Sequence, residues 1–170
     1  MKILVVVDMQ NDFIDGALGT PEAQAIVGNV RRKIEQYRQE GGKVLFTRDT
    51  HTAEYLQTQE GKNLPVPHCI KGTPGWEISS ALDAGGCEIV DKPSFGSLTL
   101  AELIHTKKNV TSVELVGLCT DICVISNAMI LKARLPEVEI LVDSSCCAGV
   151  TPASHANALE AMKMCQITVK

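Results

Sequence analysis

The chain opens Lys2-Ile3-Leu4-Val5-Val6-Val7-Asp8, an unbroken, mostly β-branched apolar run closed by an aspartate. Continuous rather than alternating apolarity belongs to a strand covered on both faces, as in a parallel sheet flanked by helices. The run is too short for a signal-peptide core or a membrane span. Working outward, similar runs recur at 44–47, 88–90, 112–116, 139–142 and 167–169. Helical patterns lie between them. Thr20-Pro21-Glu22 reads as an N-cap, an N1 proline and an acidic first turn. Apolar residues then recur at Ala23, Ile26, Val27, Val30, Ile34 and Tyr37, one helical stripe, and Gly41-Gly42 ends it. Thr151-Pro152 opens the last helix in the same way, with Leu159 and Met162 facing inward. Segments 97–105 and 121–133 read as further helices and 75–82 as a shorter one. This alternation predicts one α/β domain over residues 1–170, with a parallel sheet between two helical layers.

Composition narrows the function. Apolar residues make up 45% of the 170 positions but aromatics only 4%, so aliphatic side chains must fill the core. A net charge of −4 and no basic run exclude nucleic acid as a main partner. With neither leader nor span, the chain reads as cytoplasmic. Its seven cysteines are odd in number and form no CxxC pair. They read as free thiols, mostly buried, and Cys146 and Cys147 receive no role.

In parallel α/β sheets, ligands bind beyond the carboxyl ends of the strands. Here those ends carry Asp8, Asp49, Lys92, the turn Gly117-Leu118-Cys119-Thr120-Asp121-Ile122-Cys123, and Asp143-Ser144-Ser145. Asp8, Lys92 and Cys123 supply a carboxylate, a cation and a thiol, the parts of a cysteine nucleophile. With Thr120 as N-cap, Cys123 falls in the first helical turn, where the helix dipole and Lys92 favour a thiolate. Position alone reads Cys123 equally as a buried core thiol. Cys119 and Cys123, one helical turn apart, also leave a redox pair open. His105 and His155 read as surface residues on helices.

Thr47-Arg48-Asp49-Thr50-His51 places Asp49 and His51 on one side of an extended segment. His68 follows in Pro65-Val66-Pro67-His68-Cys69. One carboxylate and two imidazoles suit Zn²⁺, Mn²⁺ or Fe²⁺ and leave open positions. Glu54 or Glu60 could add a fourth ligand. Spacing alone reads the same residues as a turn aspartate and two loop histidines.

Five blocks, taken together, resemble a known family. They are Val6-Val7-Asp8-Met9-Gln10-Asn11-Asp12-Phe13, Thr47-Arg48-Asp49-Thr50-His51, Pro67-His68-Cys69-Ile70-Lys71-Gly72-Thr73-Pro74-Gly75, Lys92-Pro93-Ser94-Phe95, and Gly117-Leu118-Cys119-Thr120-Asp121-Ile122-Cys123-Val124. In this order they resemble the isochorismatase-like cysteine hydrolases, and among these the nicotinamidases. The resemblance implies a three-layer, doubly wound fold with a six-stranded, mostly parallel sheet. It implies a catalytic triad of Asp8, Lys92 and Cys123. It implies a cis peptide between Leu118 and Cys119, with the Cys119 and Cys123 N–H groups as oxyanion hole. It further implies Phe13 in the ring pocket, Asp49, His51 and His68 around a metal, zinc first, and assembly as a homo-oligomer.

The chain departs from the nicotinamidase pattern in two places. Glu54 and Tyr55 stand where a second histidine is common, and Pro65 stands where a tryptophan is common, with Trp76 a possible stand-in. The activity implied is metal-dependent hydrolysis of nicotinamide to nicotinate and ammonia through a thioester. The alternatives are a related cysteine hydrolase of another small amide or ureido compound, and a non-catalytic small-molecule binder of the same fold. The metal set argues against isochorismatase proper.

Overall fold

A computed structural model describes residues 1–170. Six strands, β1 (Lys2–Val7), β2 (Lys43–Asp49), β3 (Glu88–Lys92), β4 (Ser112–Leu118), β5 (Glu139–Ala148) and β6 (Thr168–Val169), form one sheet in the order β3-β2-β1-β4-β5-β6. Every pairing is parallel. The chain runs outward from β1 to β2 and β3, returns to β4, and continues outward through β5 and β6. The strand order therefore reverses between β1 and β4, where a ligand crevice opens in such sheets.

The opening run behaves as its composition demands. Ile3 through Val7 are fully buried in the sheet centre. Ile3, Val5 and Val7 pack on one face with Leu100 and Ile104 of α4 (Leu98–His105), Ala128 and Leu131 of α5 (Ile125–Arg134) and Met162 of α6 (Pro152–Met164). Leu4 and Val6 pack on the other face with Phe13 of α1 (Asn11–Ile14) and with Ile26, Val30 and Ile34 of α2 (Pro21–Gln39). The period of two along β1 thus divides the core into two layers. A short helix, α3 (Gln59–Asn63), lies in the β2–β3 connection. No helix is long and apolar enough to cross a membrane.

The caps read from sequence are present. Thr20 accepts from Ala23 N, Thr151 and Ser154 form a capping box, and Ser97 accepts from Leu100 N. One core carboxylate is compensated rather than excluded. Glu114 of β4 is 2% exposed, accepts from Tyr37 Oη at 2.5 Å and lies 3.4 Å from Lys33 Nζ.

Four expectations change. The segment 75–82 is not a helix. Only Pro74–Trp76 forms a 3₁₀ turn, after which Ile78 bridges Gln10, and backbone bonds to Met9 and Asn11 replace helical ones. Strand β5 does not stop at Val142 but runs through the polar Asp143-Ser144-Ser145 to Ala148. Asp143 accepts from both the N–H and the hydroxyl of Ser145, and the β4–β5 register shifts there. That triplet is a bulge within the strand rather than a strand exit. The helix expected from Asp121 begins as a π-helical turn, Thr120–Val124, so the position before it falls on Cys119 rather than Thr120 and carries no side-chain capping bond. His155 is not a free surface residue: its Nδ1 lies 2.8 Å from the buried Thr120 Oγ1.

Gly117 pairs with Val7 across the β1–β4 seam at φ +118°, and a Cβ there would collide with the Val7 carbonyl. Gly117→Ala is expected to cost about 2–3 kcal/mol of stability. The cost is read as a lower urea midpoint at unchanged slope.

Candidate active site

Asp8 follows β1, Lys92 ends β3, and Cys123 lies in the π-helical turn after β4. The fold brings all three together beside the β1/β4 reversal. Lys92 Nζ lies 2.7 Å from Asp8 Oδ2, 3.2 Å from Asp49 Oδ1 and 3.4 Å from Cys123 Sγ, and donates to the Ser94 carbonyl at 3.0 Å. Asp8, Lys92 and Cys123 are at most 4% exposed. Asp8 Oδ1 accepts from Thr47 Oγ1 at 2.6 Å. Asp8 Oδ2 pairs with the buried Lys92 ammonium at 2.7 Å. Leu118 and Cys119 are joined by a cis peptide bond, as the resemblance implies.

Burial sets the protonation states. It opposes the Lys92 charge, but Asp8, Cys123 and Asp49 outweigh it and raise the ammonium's pKa. Burial also pushes the Asp8 carboxyl up against the pull of Lys92, which makes Asp8 a better proton acceptor than an exposed aspartate. For Cys123, burial and then Asp8 outweigh Lys92, and the thiol is held well above its ordinary value. Burial and Asp8 thus act against the thiolate that helix position and Lys92 favour. Burial likewise lifts Cys119 to about 12.

A second cluster adjoins the first. One donor atom each from Asp49, His51, Glu60 and His68 lies within 4.8 Å of the others. His51 Nε2 is 3.0 Å from Asp49 Oδ2 and 3.6 Å from Glu60 Oε1. His68 Nε2 is 3.7 Å from each of the same two oxygens. His68 Nδ1 is engaged by the Val66 carbonyl at 2.8 Å, which turns Nε2 inward, the arrangement that orients a ligating imidazole. Asp8, Asp49 and Glu60 outnumber the single buried ammonium, so the donor set fits a divalent cation. Glu54 is exposed and outside the cluster, while the Tyr55 ring packs on both imidazoles at 4.7 and 5.0 Å.

Several supporting residues carried no role in the sequence reading. The fully buried Gln10 accepts from Asp49 N and donates to the Asp49 and Trp76 carbonyls, which fixes the end of β2. Asp12 accepts from Cys69 N and anchors the His68 segment. Both lie in the first quoted block, the one signal that could have marked them. Trp76 does not enter the cavity; its indole donates to Thr50 and stacks under Arg48. The cavity itself, about 270 Å³, reaches Cys123, Asp49 and His68 between apolar walls that include Phe13, Leu64 and Phe95. That volume suits one small ring rather than a drug-sized ligand.

Known proteins share this plan. The chain is 28% identical to the nicotinamidase/pyrazinamidase of Mycobacterium tuberculosis, over 98% of this chain and 97% of that one. It is 31% identical to a probable inactive nicotinamidase of Arabidopsis thaliana, over 92% and 86%. The pyrazinamidase of Pyrococcus horikoshii, solved in complex with zinc, superposes with a TM-score of 0.87 at 28% identity, covering 99% of this chain and 98% of that one. The isochorismatase domain family matches residues 2–170, and by that near-complete match the chain belongs to the isochorismatase family.

Proposed function

We propose that the protein is a metal-dependent cysteine amidohydrolase that converts nicotinamide to nicotinate and ammonia. The observation that carries this reading is the buried Asp8–Lys92–Cys123 constellation at the floor of a ring-sized cavity walled by Asp49 and His68. Likeness alone would not carry it, since one relative bears the name of a probable inactive nicotinamidase. Here no member of the constellation is replaced.

The geometry supports the following steps. Phe13 and the other apolar walls hold the ring, and the carboxamide faces Cys123. Asp8 Oδ2 takes the thiol proton as Sγ attacks the amide carbon. Lys92 stabilises the sulfur anion as it forms. The N–H groups of Cys119 and Cys123 receive the oxyanion. Asp8 returns the proton to the departing ammonia, leaving a thioester. Asp8 then accepts a proton from water, and hydrolysis releases the acid and restores the thiol. Asp49, His51, His68 and Glu60 would hold a divalent ion, zinc first, with manganese and iron as the alternatives. When bound, such an ion supplies a Lewis acid for a ring nitrogen. The same reading makes the protein a cytoplasmic homo-oligomer of one domain, acting on a small free amide.

Ammonia release from nicotinamide by the purified protein is the direct test. Turnover should fall on chelation and return with Zn²⁺, Mn²⁺ or Fe²⁺. A metal-loaded protein that leaves nicotinamide intact but hydrolyses another small amide would replace the substrate and keep the constellation. Cys123→Ala is expected to lower kcat by about 10³-fold or more, and Asp8→Asn by roughly 10²–10⁴-fold. Full activity in either variant would sink the mechanism. Zn²⁺ at roughly 100 times its dissociation constant should add about 2.7 kcal/mol of stability. His68→Ala should abolish that gain, and melting indifferent to every divalent ion would remove the metal assignment.

A further inference from the structure

Asn127 lies one helical turn beyond Cys123, on the inner face of α5, and is fully buried. Its amide is almost completely used. Nδ2 donates to the Cys123 carbonyl at 2.8 Å and to the Phe95 carbonyl at 3.1 Å, and Oδ1 accepts from Ser97 N at 3.0 Å. Both N–H donors and one acceptor position are thus satisfied without solvent. A buried amide costs free energy unless bonded, and a small apolar residue would satisfy the packing of a helix interior. What the amide adds is a link between two segments distant in sequence.

Those segments are the nucleophile turn and the loop joining β3 to α4. The loop begins at Lys92, whose ammonium also donates to the Ser94 carbonyl, and ends at Ser97, the cap of α4. Gly96 lies so close to Ser126 and Ile130 that a Cβ there would strike the Ile130 side chain, so the loop is pressed onto α5. Phe95 projects from this loop, 42% exposed. It lines the active cavity and also a neighbouring one of about 590 Å³ that reaches His51. With Glu60, Leu64 and Ile122, which also line both, it forms the wall between the thiol and the second cavity.

We infer that Asn127 is a positioning residue that fixes the distance between the Cys123 thiol and the Phe95 wall. It touches no reacting atom; it acts through the main chain of both residues. The inference rests on the hydrolase reading for its kinetic consequence. Its geometric content, control of the thiol's surroundings, stands apart from the choice of substrate. A misplacement of about 1 Å at a reacting centre can cost roughly 10²-fold in rate, so the link bears on turnover as well as on stability.

The test compares Asn127→Ala with Asn127→Asp, which keeps the size and the acceptor for Ser97 but loses both donors. For each, kcat and KM for nicotinamide are measured well below the melting temperature, alone and combined with Phe95→Ala. The rate of Cys123 carboxamidomethylation by iodoacetamide is followed by peptide mass. Both variants should lose about tenfold in kcat and raise KM severalfold. The KM effect should vanish in the Phe95→Ala background, because the wall is already gone. The Cys123 alkylation rate should change at least about fivefold, on the same geometric ground. Variants that melt earlier but keep kcat, KM and alkylation rate within about twofold of the parent would reduce Asn127 to a structural role and overturn the inference. A parent that does not turn over nicotinamide would overturn the substrate reading alone. The alkylation rate then decides, with a changed rate supporting the positioning role and an unchanged one removing it.

Discussion

The ammonium of Lys92 is 1% exposed, and a charge so placed persists only when anions surround it. The two carboxylates that surround it come from different strand ends, Asp8 after β1 and Asp49 at the end of β2, and the Cys123 sulfur follows β4. The lysine starts on β3, the edge strand, and its side chain reaches across to the sheet centre. Asp49 and Lys92 are direct register partners, so a slip of β3 along β2 would remove the cation from the carboxylates it compensates. The register of this half of the sheet and the electrostatics of the site are therefore one constraint.

Asp49 extends the same constraint to the second cluster. Its Oδ1 faces Lys92 and its Oδ2 faces His51 and His68. Burial opposes its charge, yet His51 and Lys92 hold the carboxyl below the ordinary range, so it serves both neighbours as an anion. One carboxylate thus couples the thiol site to the imidazole pair. Gln10 fixes the backbone of this residue from both sides, which explains why a neutral amide occupies a fully buried position beside two charged clusters.

The layout of strands was legible in the sequence because burial on both faces leaves unbroken apolar runs, as in Ile3 to Val7. The helix starts were legible at Thr20 and Thr151 because capping is local chemistry. Asp8, Lys92, Cys123, Asp49, His51, Glu60 and His68 could be named because they stand at strand ends or in the loop beside them. What was not legible depends on partners far along the chain. The polar triplet at Asp143 reads as a strand exit, yet pairing with β4 carries β5 through it as a bulge. The 75–82 segment has a helical start, yet Met9 and Gln10 recruit its backbone. His155 and Asn127 look like ordinary helix residues until the fold sets Thr120 and Phe95 against them.

The raised pKa of Cys123 shows the same competition in energetic form. Helix position and a neighbouring lysine both stabilise a thiolate, and a sequence argument can see both. It cannot see complete burial, nor the Asp8 carboxylate that acts on the sulfur from close by. Burial penalises the sulfur anion and Asp8 repels it, against the pull of Lys92. A thiol whose pKa is raised is a weak nucleophile until a base removes its proton. On the proposed mechanism, reactivity would come from the placement of Asp8, Lys92 and Sγ around a bound amide. That is why the positions of the turn and of the cavity wall matter as much as the identity of the nucleophile.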